Sequence, residues 1–230
     1  MIKSFLILLI ISISLFSSEQ IILVVSDNMS TSKAKLECYE DGKKVFHTID
    51  VNLGKNGLGW GIGEYSFPVQ KGEPLKYEGD NKAPAGIFKL SDIFGYAKKE
   101  NYKMPYLFAS KDLICVDDTH SPFYNQIIQA HGDEKSFEYM KRHDKQYTIG
   151  VVVKHNPKAQ SKRGSCIFLH IEKFKGAGTA GCTSMKYEDL QKIVNWLDKK
   201  KNPLLIQIPK NRTKEILELY PELKNAQLLK

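Results

Sequence analysis

The sequence predicts a mainly β fold with short helices, in which a twisted mixed sheet or sandwich forms a single domain. Short runs rich in β-branched and aromatic residues recur between clusters of turn-forming residues. They lie at residues 21–25, 36–39, 45–49, 147–153, 166–171 and 204–209. Apolar residues at helical spacing occupy fewer and shorter stretches. The 230 residues suffice for one domain with a sizeable core, and no internal repeat, low-complexity tract or long linker divides them.

The composition is that of a globular protein with a basic surface. The formal net charge of +8 favours anionic surroundings such as cell-wall carboxylates, phosphate polymers or lipid headgroups, and does not select among them. The densest basic run, at residues 199–201, follows a predicted helix, where cations complement the negative end of the helix dipole. No nucleic-acid-binding motif occurs, and we predict no nucleic acid partner.

Residues 1–18 have the composition of a secretory signal peptide. Lys3 supplies the positive start, residues 5–16 are apolar apart from serines, and Glu19 ends the run. The run is short for a membrane span. We therefore expect residues 19–230 to be exported, to the periplasm or another extracytoplasmic space. An uncleaved anchor is the alternative, and a membrane is a partner only in that case.

The first half of the chain predicts strands joined by turns. Residues 40–43 are the predicted turn of a hairpin between the second and third β-rich runs. The glycine-rich residues 54–63 lack the Lys-Ser/Thr ending of a phosphate-binding loop, and we predict a flexible loop near a cleft. Pro84 and Gly86 predict a rigid turn that leads into the next strand.

The second half predicts the helices. Residues 133–143 and 213–219 are predicted to be short helices, and Pro221 ends the second. Between them, apolar residues at offsets of 0, 3, 4 and 7 predict one buried helix face, formed by Leu190, Ile193, Val194 and Leu197.

The four cysteines are informative because the chain is expected to be exported. Cys38, Cys115 and Cys166 can include one disulfide, which would leave Cys182 free with one other thiol. Their spacing does not assign a pair. Cys115 and Cys166 lie in apolar, strand-like runs, and we therefore favour buried structural thiols at both positions.

Cys182 has the surroundings of a nucleophile. We place it just ahead of a helix that Ser184 would cap, where the helix dipole would favour a thiolate. Small neighbours leave the sulfur accessible, and Gly181 lets a substrate approach the backbone closely. If the strand that carries His170 folds beside this loop, its imidazole can act as the base for the thiol. A buried, unreactive cysteine is the alternative.

The same residues resemble the catalytic signature of the L,D-transpeptidases of the YkuD (ErfK/YbiS/YcfS/YnhG) family, cell-wall enzymes with a cysteine nucleophile. His170, Gly181 and Cys182 match the signature. The usual form of the signature is Ser/Thr-His-Gly-Cys-x-Arg. This sequence departs from it at two positions: Ala180 replaces the second His, and Ser184 stands where Arg is common. The chain is more similar to a divergent branch with a TAGCT motif. Another group must then bind the substrate carboxylate.

The resemblance implies a YkuD-like mixed β-sheet sandwich over residues 19–230 and an exported cysteine peptidyl-transferase acting on peptidoglycan stem peptides. Cys182 would form a thioacyl-enzyme with release of D-Ala, and His170 would be its base. An acceptor peptide or a cell-wall-anchored protein is a further candidate partner, and neither a cofactor nor a metal is expected. The alternatives are an L,D-carboxypeptidase that uses water, a non-catalytic cell-wall-binding protein of the same fold, and an unrelated cysteine protease.

Further residues are candidates for the walls of the substrate cleft. An Asp-x-x-Ser-x-x-Tyr-Asn stretch similar to one beside the family's cleft occurs at residues 118–125, and a His-Asn pair ends the strand at 147–153. The substrate-binding candidates are Gly181, Thr183, Ser184, His155, Asn156, Asp118, Tyr124 and Asn125. Turn hydrogen bonding is the alternative role for the polar residues outside the cysteine loop. A metal site at Asp117, Asp118 and His120 is disfavoured, because no second ligand pair has suitable spacing.

Overall fold

A computed structural model describes residues 20–230 of the chain. The predicted signal peptide, residues 1–18, lies outside the described residues. In the order of the chain, the first seven strands are β1 (Gln20–Ser26), β2 (Lys33–Glu40), β3 (Lys43–Lys44), β4 (Ile49–Asn52), β5 (Leu58–Trp60), β6 (Ala83–Gly95) and β7 (Tyr106–Phe108). The next seven are β8 (Leu113–Val116), β9 (Ile127–Gln129), β10 (Phe137–Tyr139), β11 (Ile149–Val153), β12 (Phe168–Ile171), β13 (Thr183–Met185) and β14 (Leu204–Pro209).

The helices are few and short. Two α-helices are present in this part of the chain, α1 (Tyr187–Trp196) and α2 (Thr213–Leu219). Short 3-10 helices occupy Lys199–Lys201, Lys210–Arg212, Pro221–Asn225 and Gln227–Leu229. No helix within residues 20–230 is long and apolar enough to cross a membrane.

The main sheet closes on itself. Its neighbours run in the order β1, β14, β6, β11, β12, β13, β4 and β2, and β2 pairs with β1 to complete the ring. The sheet is mixed, since β1–β14 and β12–β13 are parallel whereas most other pairs are antiparallel. A second, antiparallel sheet has the order β10, β8, β9. The predicted fold class, mainly β with a mixed sheet and short helices, is confirmed.

Continuous apolar runs form the centre of the ring. Every residue of β1 and of its parallel neighbour β14 is buried, as expected for strands covered on both faces. Helix α1 contacts β11 and β12. It buries the apolar face that its spacing predicts, with Leu190, Ile193 and Val194 fully inaccessible to solvent.

The prediction that Ser184 caps this helix is wrong. Ser184 lies in β13, opposite His170 of β12, and the N-cap is Lys186, which has no side-chain cap bond. The parallel pairing with β12 carries residues 183–185 on as a strand before the helix begins. Cys182 is therefore separated from the helix N-terminus by a strand.

Three local predictions in the middle of the chain are also wrong. The predicted helix at 133–143 contains strand β10, because pairing with β8 outweighs a weak helical pattern. Pro84 and Gly86 lie inside β6 rather than in a turn, and a Cβ at Gly86 would stand 2.8 Å from the Phe88 ring. The glycine-rich residues 54–63 include β5 and bury Trp60, so this segment is packed rather than an open loop.

The early hairpin is correctly predicted in part. Its turn lies at Asp41 and Gly42, both with positive φ, between β2 and the short β3. The run at 45–49 is mostly not a strand, because the next strand, β4, begins only at Ile49.

Cys115 and Cys166 form a disulfide with a Cα–Cα distance of 6.0 Å, which corrects the preference for two separate thiols. The bond joins β8 to the residues just before β12. A separation of 51 residues along the chain gives no sign of this proximity. Cys38 and Cys182 are free, as a single disulfide would leave them.

Candidate active site

Strands β12 and β13 bring His170 and Cys182 to one face of the sheet. Leu169 pairs with Thr183 in a parallel register, and His170 pairs with Ser184. Because side chains alternate along a strand, Cys182 and Ser184 share the face that carries His170. Cys182 lies two residues before Ser184, the partner of His170. His170 and Cys182 both border one open cleft with a volume of about 670 Å³.

The Cys182 thiol is buried and protonated. Cys182 is only 8% exposed. Its Sγ accepts a hydrogen bond from the Phe168 N–H at 3.3 Å, and its S–H donates to the Cys166 carbonyl at 3.5 Å. Burial raises the pKa of Cys182 to about 12, and the nearby Glu138 carboxylate adds to the rise. The expectation that a helix dipole favours the thiolate is therefore wrong, because strand β13 intervenes and desolvation dominates.

His170 is a neutral base. Its Nδ1 lies 2.8 Å from the carbonyl oxygen of Ile171, which can only accept a hydrogen bond, so the ring proton is on Nδ1 and the Nε2 lone pair is available. Burial lowers the pKa of His170 to about 4. At neutral pH the site therefore holds a thiol and a neutral imidazole rather than an ion pair.

The loop before Cys182 is fixed by Thr179. The Thr179 hydroxyl donates to the Cys182 carbonyl at 2.6 Å and accepts the Gly181 N–H at 3.1 Å. A Cβ at Gly181 would stand 3.2 Å from the Lys82 carbonyl oxygen, so the loop passes closely over its neighbour. The backbone of Lys55 also bonds to Thr179, which joins the glycine-rich segment to the cleft.

The two residues after Cys182 face opposite ways. Thr183 is buried on the other face of β13 and donates from its hydroxyl to Gln207 at 2.7 Å. Ser184 borders the cleft, and its buried hydroxyl has no hydrogen-bond partner among residues 20–230. The structure therefore places Ser184, but not Thr183, on the side of the thiol.

Several charged and phenolic residues that the sequence analysis missed also border the cleft. Lys76 is nearly inaccessible, with its ammonium bonded to Asp80 and to the Tyr77 carbonyl, both at 2.6 Å. The others include Glu138, Arg142, Asp144 and Tyr147. Glu138 and Arg142 were not recognised as site residues because residues 133–143 were predicted to form a helix. No local sequence signal identifies Lys76, since its position depends on contacts far along the chain.

The remaining wall candidates lie behind the cleft and do not border it. Asn125 donates to the carbonyls of His155 and Asn156, each at 2.9 Å, and accepts the Cys166 N–H. His155 and Asn156 are buried against backbone carbonyls of residues 160–164. These three residues fasten the segment that leads to Cys166.

The side chains of Asp118 and Tyr124 also form hydrogen bonds within the protein. The Tyr124 hydroxyl donates to the Glu78 carboxylate at 2.5 Å, and Asp118 accepts the backbone N–H of His120 at 2.9 Å. Glu78 borders the cleft, whereas Tyr124 does not and is linked to the cleft only through its hydrogen bond to Glu78.

The residues considered as a metal site from the sequence, Asp117, Asp118 and His120, do not form a group with converging ligand atoms in the described residues. In the described part of the chain, two groups have converging ligand atoms: Cys115, Glu138 and Cys166, and His131, Asp133 and Glu134. The sulfurs of the first group are joined in the disulfide, so neither is a thiolate. The second is largely exposed and lies outside the cleft.

Comparison with known proteins identifies the family. The model of the YkuD L,D-transpeptidase catalytic domain matches residues 20–208, which include both His170 and Cys182. A similar solved structure is that of Pgp2 from Campylobacter jejuni, a helical cell shape determining protein, with 16% identity and a TM-score of 0.42. The similarity covers 84% of this chain and 47% of that one, so this chain spans about half its length. A search of curated proteins finds no match. The chain belongs to the YkuD family of L,D-transpeptidase catalytic domains.

Proposed function

We propose that this protein is an exported L,D-transpeptidase that acts on peptidoglycan stem peptides through a thioacyl-enzyme on Cys182. The observation that carries the proposal is the placement of His170 and Cys182 on one sheet face at one open cleft. The imidazole has its proton fixed on Nδ1 by Ile171, so Nε2 is the atom that would receive the thiol proton.

In the proposed reaction, His170 removes the Cys182 proton as sulfur attacks the carbonyl that joins an L-centre, typically of diaminopimelate, to the terminal D-Ala. The thiol has a high pKa and the imidazole a low one, so a stable ion pair does not form first and proton transfer accompanies attack. Backbone N–H groups beside Cys182 would hold the oxyanion, and loss of one such donor commonly costs about 3 kcal/mol.

The second half of the reaction releases the acyl group. The His170 proton passes to the D-Ala nitrogen as the C–N bond breaks, which leaves a thioester on Cys182. An amine acceptor then attacks the thioester and yields a crosslink or a protein anchor. Water as the acceptor yields a tripeptide instead.

The charges around the cleft suit a substrate with both carboxylates and amines. Lys76 and Arg142 are positively charged and each is paired with an aspartate, and Glu138 and Asp117 are acidic. The net charge of +8 also favours an anionic wall. Export is supported by the composition of residues 1–18 and by the Cys115–Cys166 disulfide, since such bonds persist in oxidising compartments.

The test is incubation of the purified protein with a disaccharide tetrapeptide, followed by mass spectrometry of the products. A transpeptidase releases D-Ala and forms a crosslinked dimer, and Cys182→Ala abolishes both, whereas Cys38→Ala keeps them because Cys38 lies in β2, away from the cleft. Tripeptide without dimer would identify a carboxypeptidase. Binding to isolated cell walls without turnover would identify a non-catalytic protein, and full turnover by Cys182→Ala would exclude the mechanism.

A further inference from the structure

Strand β10 places a carboxyl group beside the nucleophile. Glu138 pairs with Cys115 of β8, and a Glu138 carboxylate oxygen lies within 4.8 Å of the sulfurs of both Cys115 and Cys166. The Cys166 carbonyl in turn accepts the S–H of Cys182. The disulfide thus holds the second sheet against the main sheet at the point where Glu138 reaches the cleft.

Tyr147 bonds to this carboxyl and packs in the same buried cluster as Cys182. Its hydroxyl donates to Oε2 of Glu138 at 2.8 Å, and hydrogen bonding from the same hydroxyl lowers the pKa of Cys182. The ring is buried and held edge-on by Phe168 at 5.5 Å and His170 at 5.3 Å between centroids. The ring is therefore held in place, and only the phenol proton can turn between neighbouring acceptors.

A phenol has one proton to donate, so its two neighbours compete for it. When Glu138 is ionised, Tyr147 donates to the carboxylate, and a thiolate at Cys182 would face a negative charge without that donor. When Glu138 is protonated, the carboxyl can donate to the phenol oxygen, and the phenol proton can turn to Sγ. Glu138 exchanges its proton with solvent, the phenol proton only reorients, and the thiol proton itself goes to His170.

The surroundings of Glu138 make this competition relevant at neutral pH. Burial raises the pKa of Glu138 to about 7, against the lowering effects of Tyr147 and Arg142. The charged or titratable groups that act on the pair from all sides are Glu78, Asp117, Arg142, His170 and Cys182. The Lys76 ammonium also acts on the thiol and lowers the pKa of Cys182.

We propose that Glu138 and Tyr147 form a proton-linked pair that controls ionisation of Cys182, and that the thiolate forms most readily when Glu138 carries a proton. Tyr147 acts on the reacting sulfur, whereas Glu138 is a positioning residue that acts through Tyr147 and through its charge. The role of this pair in turnover rests on the proposed function. The test of the pair uses thiol reactivity and needs no substrate.

The experiment measures alkylation of Cys182 by iodoacetamide between pH 5.5 and 9, under non-reducing conditions, with mass spectrometry of the peptide that contains Cys182. In the unmodified protein, the logarithm of the rate should rise with pH less steeply near pH 7 than on either side, because ionisation of Glu138 opposes ionisation of the thiol. A single slope through this region would overturn the proposal without any variant having to fold.

Glu138→Gln removes the charge and keeps a hydrogen-bonding side chain. We expect alkylation about 5- to 10-fold faster than in the unmodified protein at pH 8.5, since a neighbouring like charge commonly moves a pKa by about one unit. The two rates should converge below pH 6. Glu100→Gln, at an exposed position away from the cleft, is the matched control and should leave the profile unchanged. Parallel profiles, or slower alkylation by Glu138→Gln throughout, would refute the role of Glu138.

Tyr147→Phe tests the link between the two groups. It should slow alkylation several-fold below pH 6, where the phenol is free to donate to sulfur, and it should reduce the gain that Glu138→Gln produces at pH 8.5. Additive effects of the two substitutions would show that the groups act independently and would reject the pair. Normal alkylation profiles in a protein that does not process muropeptides would leave this inference standing and reject the proposed function alone.

Discussion

The Nδ1 atom of His170 lies 2.8 Å from the carbonyl oxygen of Ile171, the next residue in the chain. This contact decides which imidazole nitrogen is the base, and it needs no third side chain. Because β12 continues to Ile171, the strand itself supplies the orienting group. The sequence feature that produces the contact is simply a His one residue before the end of a strand.

The first prediction concerns the acid side of the pH–rate profile. Burial lowers the pKa of His170 to about 4, so the imidazole remains a neutral base down to about pH 5 and loses this capacity only when protonated below its pKa. kcat/KM should therefore not fall because of His170 between pH 7 and 5. His170→Ala should lower kcat by about 10²- to 10⁴-fold, the usual contribution of a general base. An acid limb near pH 6.5 that disappears in His170→Ala would contradict the assigned environment.

A second prediction concerns Lys76. Its buried ammonium lowers the pKa of Cys182 and is neutralised by Asp80. Lys76→Met should slow both alkylation of Cys182 and turnover, by about 3- to 10-fold, because a one-unit pKa rise costs a factor of ten in thiolate. Lys82→Met is the matched control, since the Lys82 ammonium bonds to the exposed backbone of Asn56 and does not border the cleft. Equal effects of the two substitutions would show that Lys76 acts only through stability.

A third prediction concerns the disulfide. Replacing both Cys115 and Cys166 with Ser should lower the free energy of unfolding by about 2 to 5 kcal/mol, because the bond closes a long loop. The melting temperature, measured by circular dichroism, should fall accordingly. A reducing agent should destabilise the unmodified protein similarly and should not affect the double variant. An unchanged melting temperature after confirmed reduction would show that the second sheet is held by packing alone.

The elements that could be predicted from sequence are those whose pattern is local. Strand β14 and the buried face of α1 follow from apolar runs and from helical spacing. The His170–Cys182 pair was predicted mainly from the family resemblance of residues 166–184. What could not be predicted depends on distant partners. Glu138 joins the site only because β10 pairs with β8, and the low pKa of His170 arises from burial by residues far along the chain.

The environment of Cys182 shows the same limit more sharply. A pattern of small residues before a helix indicates an exposed thiol near a helix dipole, whereas the protein has a buried thiol followed by a strand. The thiol is followed by a strand rather than a helix because residues 183–185 pair with β12. Short strands of this kind carry almost no sequence signal of their own, because their stability comes from neighbours.

The last prediction concerns the charge cluster around the buried Arg212. Arg212 is 1% exposed, bonds to Glu73 and Glu215 at 2.7 Å each, and lies over the Trp60 ring at 4.7 Å. Arg212→Met removes the partner of a carboxylate that stays enclosed, so the free energy of unfolding should fall by about 3 to 5 kcal/mol in urea titrations. Burial opposes ionisation of Glu73, but hydrogen bonds, including that from Arg212, hold its pKa below the usual value.

A carboxyl with a depressed pKa stabilises the folded state above its unfolded pKa, and this contribution is lost as the pH falls through the folded value. The loss of stability caused by Arg212→Met should thus be largest at neutral pH and should shrink as the pH falls below about 4, near the ordinary pKa of a glutamate. Lys89→Met, which removes an exposed ion pair with Glu64, is the matched control and should cost less than about 1 kcal/mol. A loss of stability for Arg212→Met that stays constant from pH 7 to pH 3 would assign the effect to lost packing against Trp60 instead of to the charge pair.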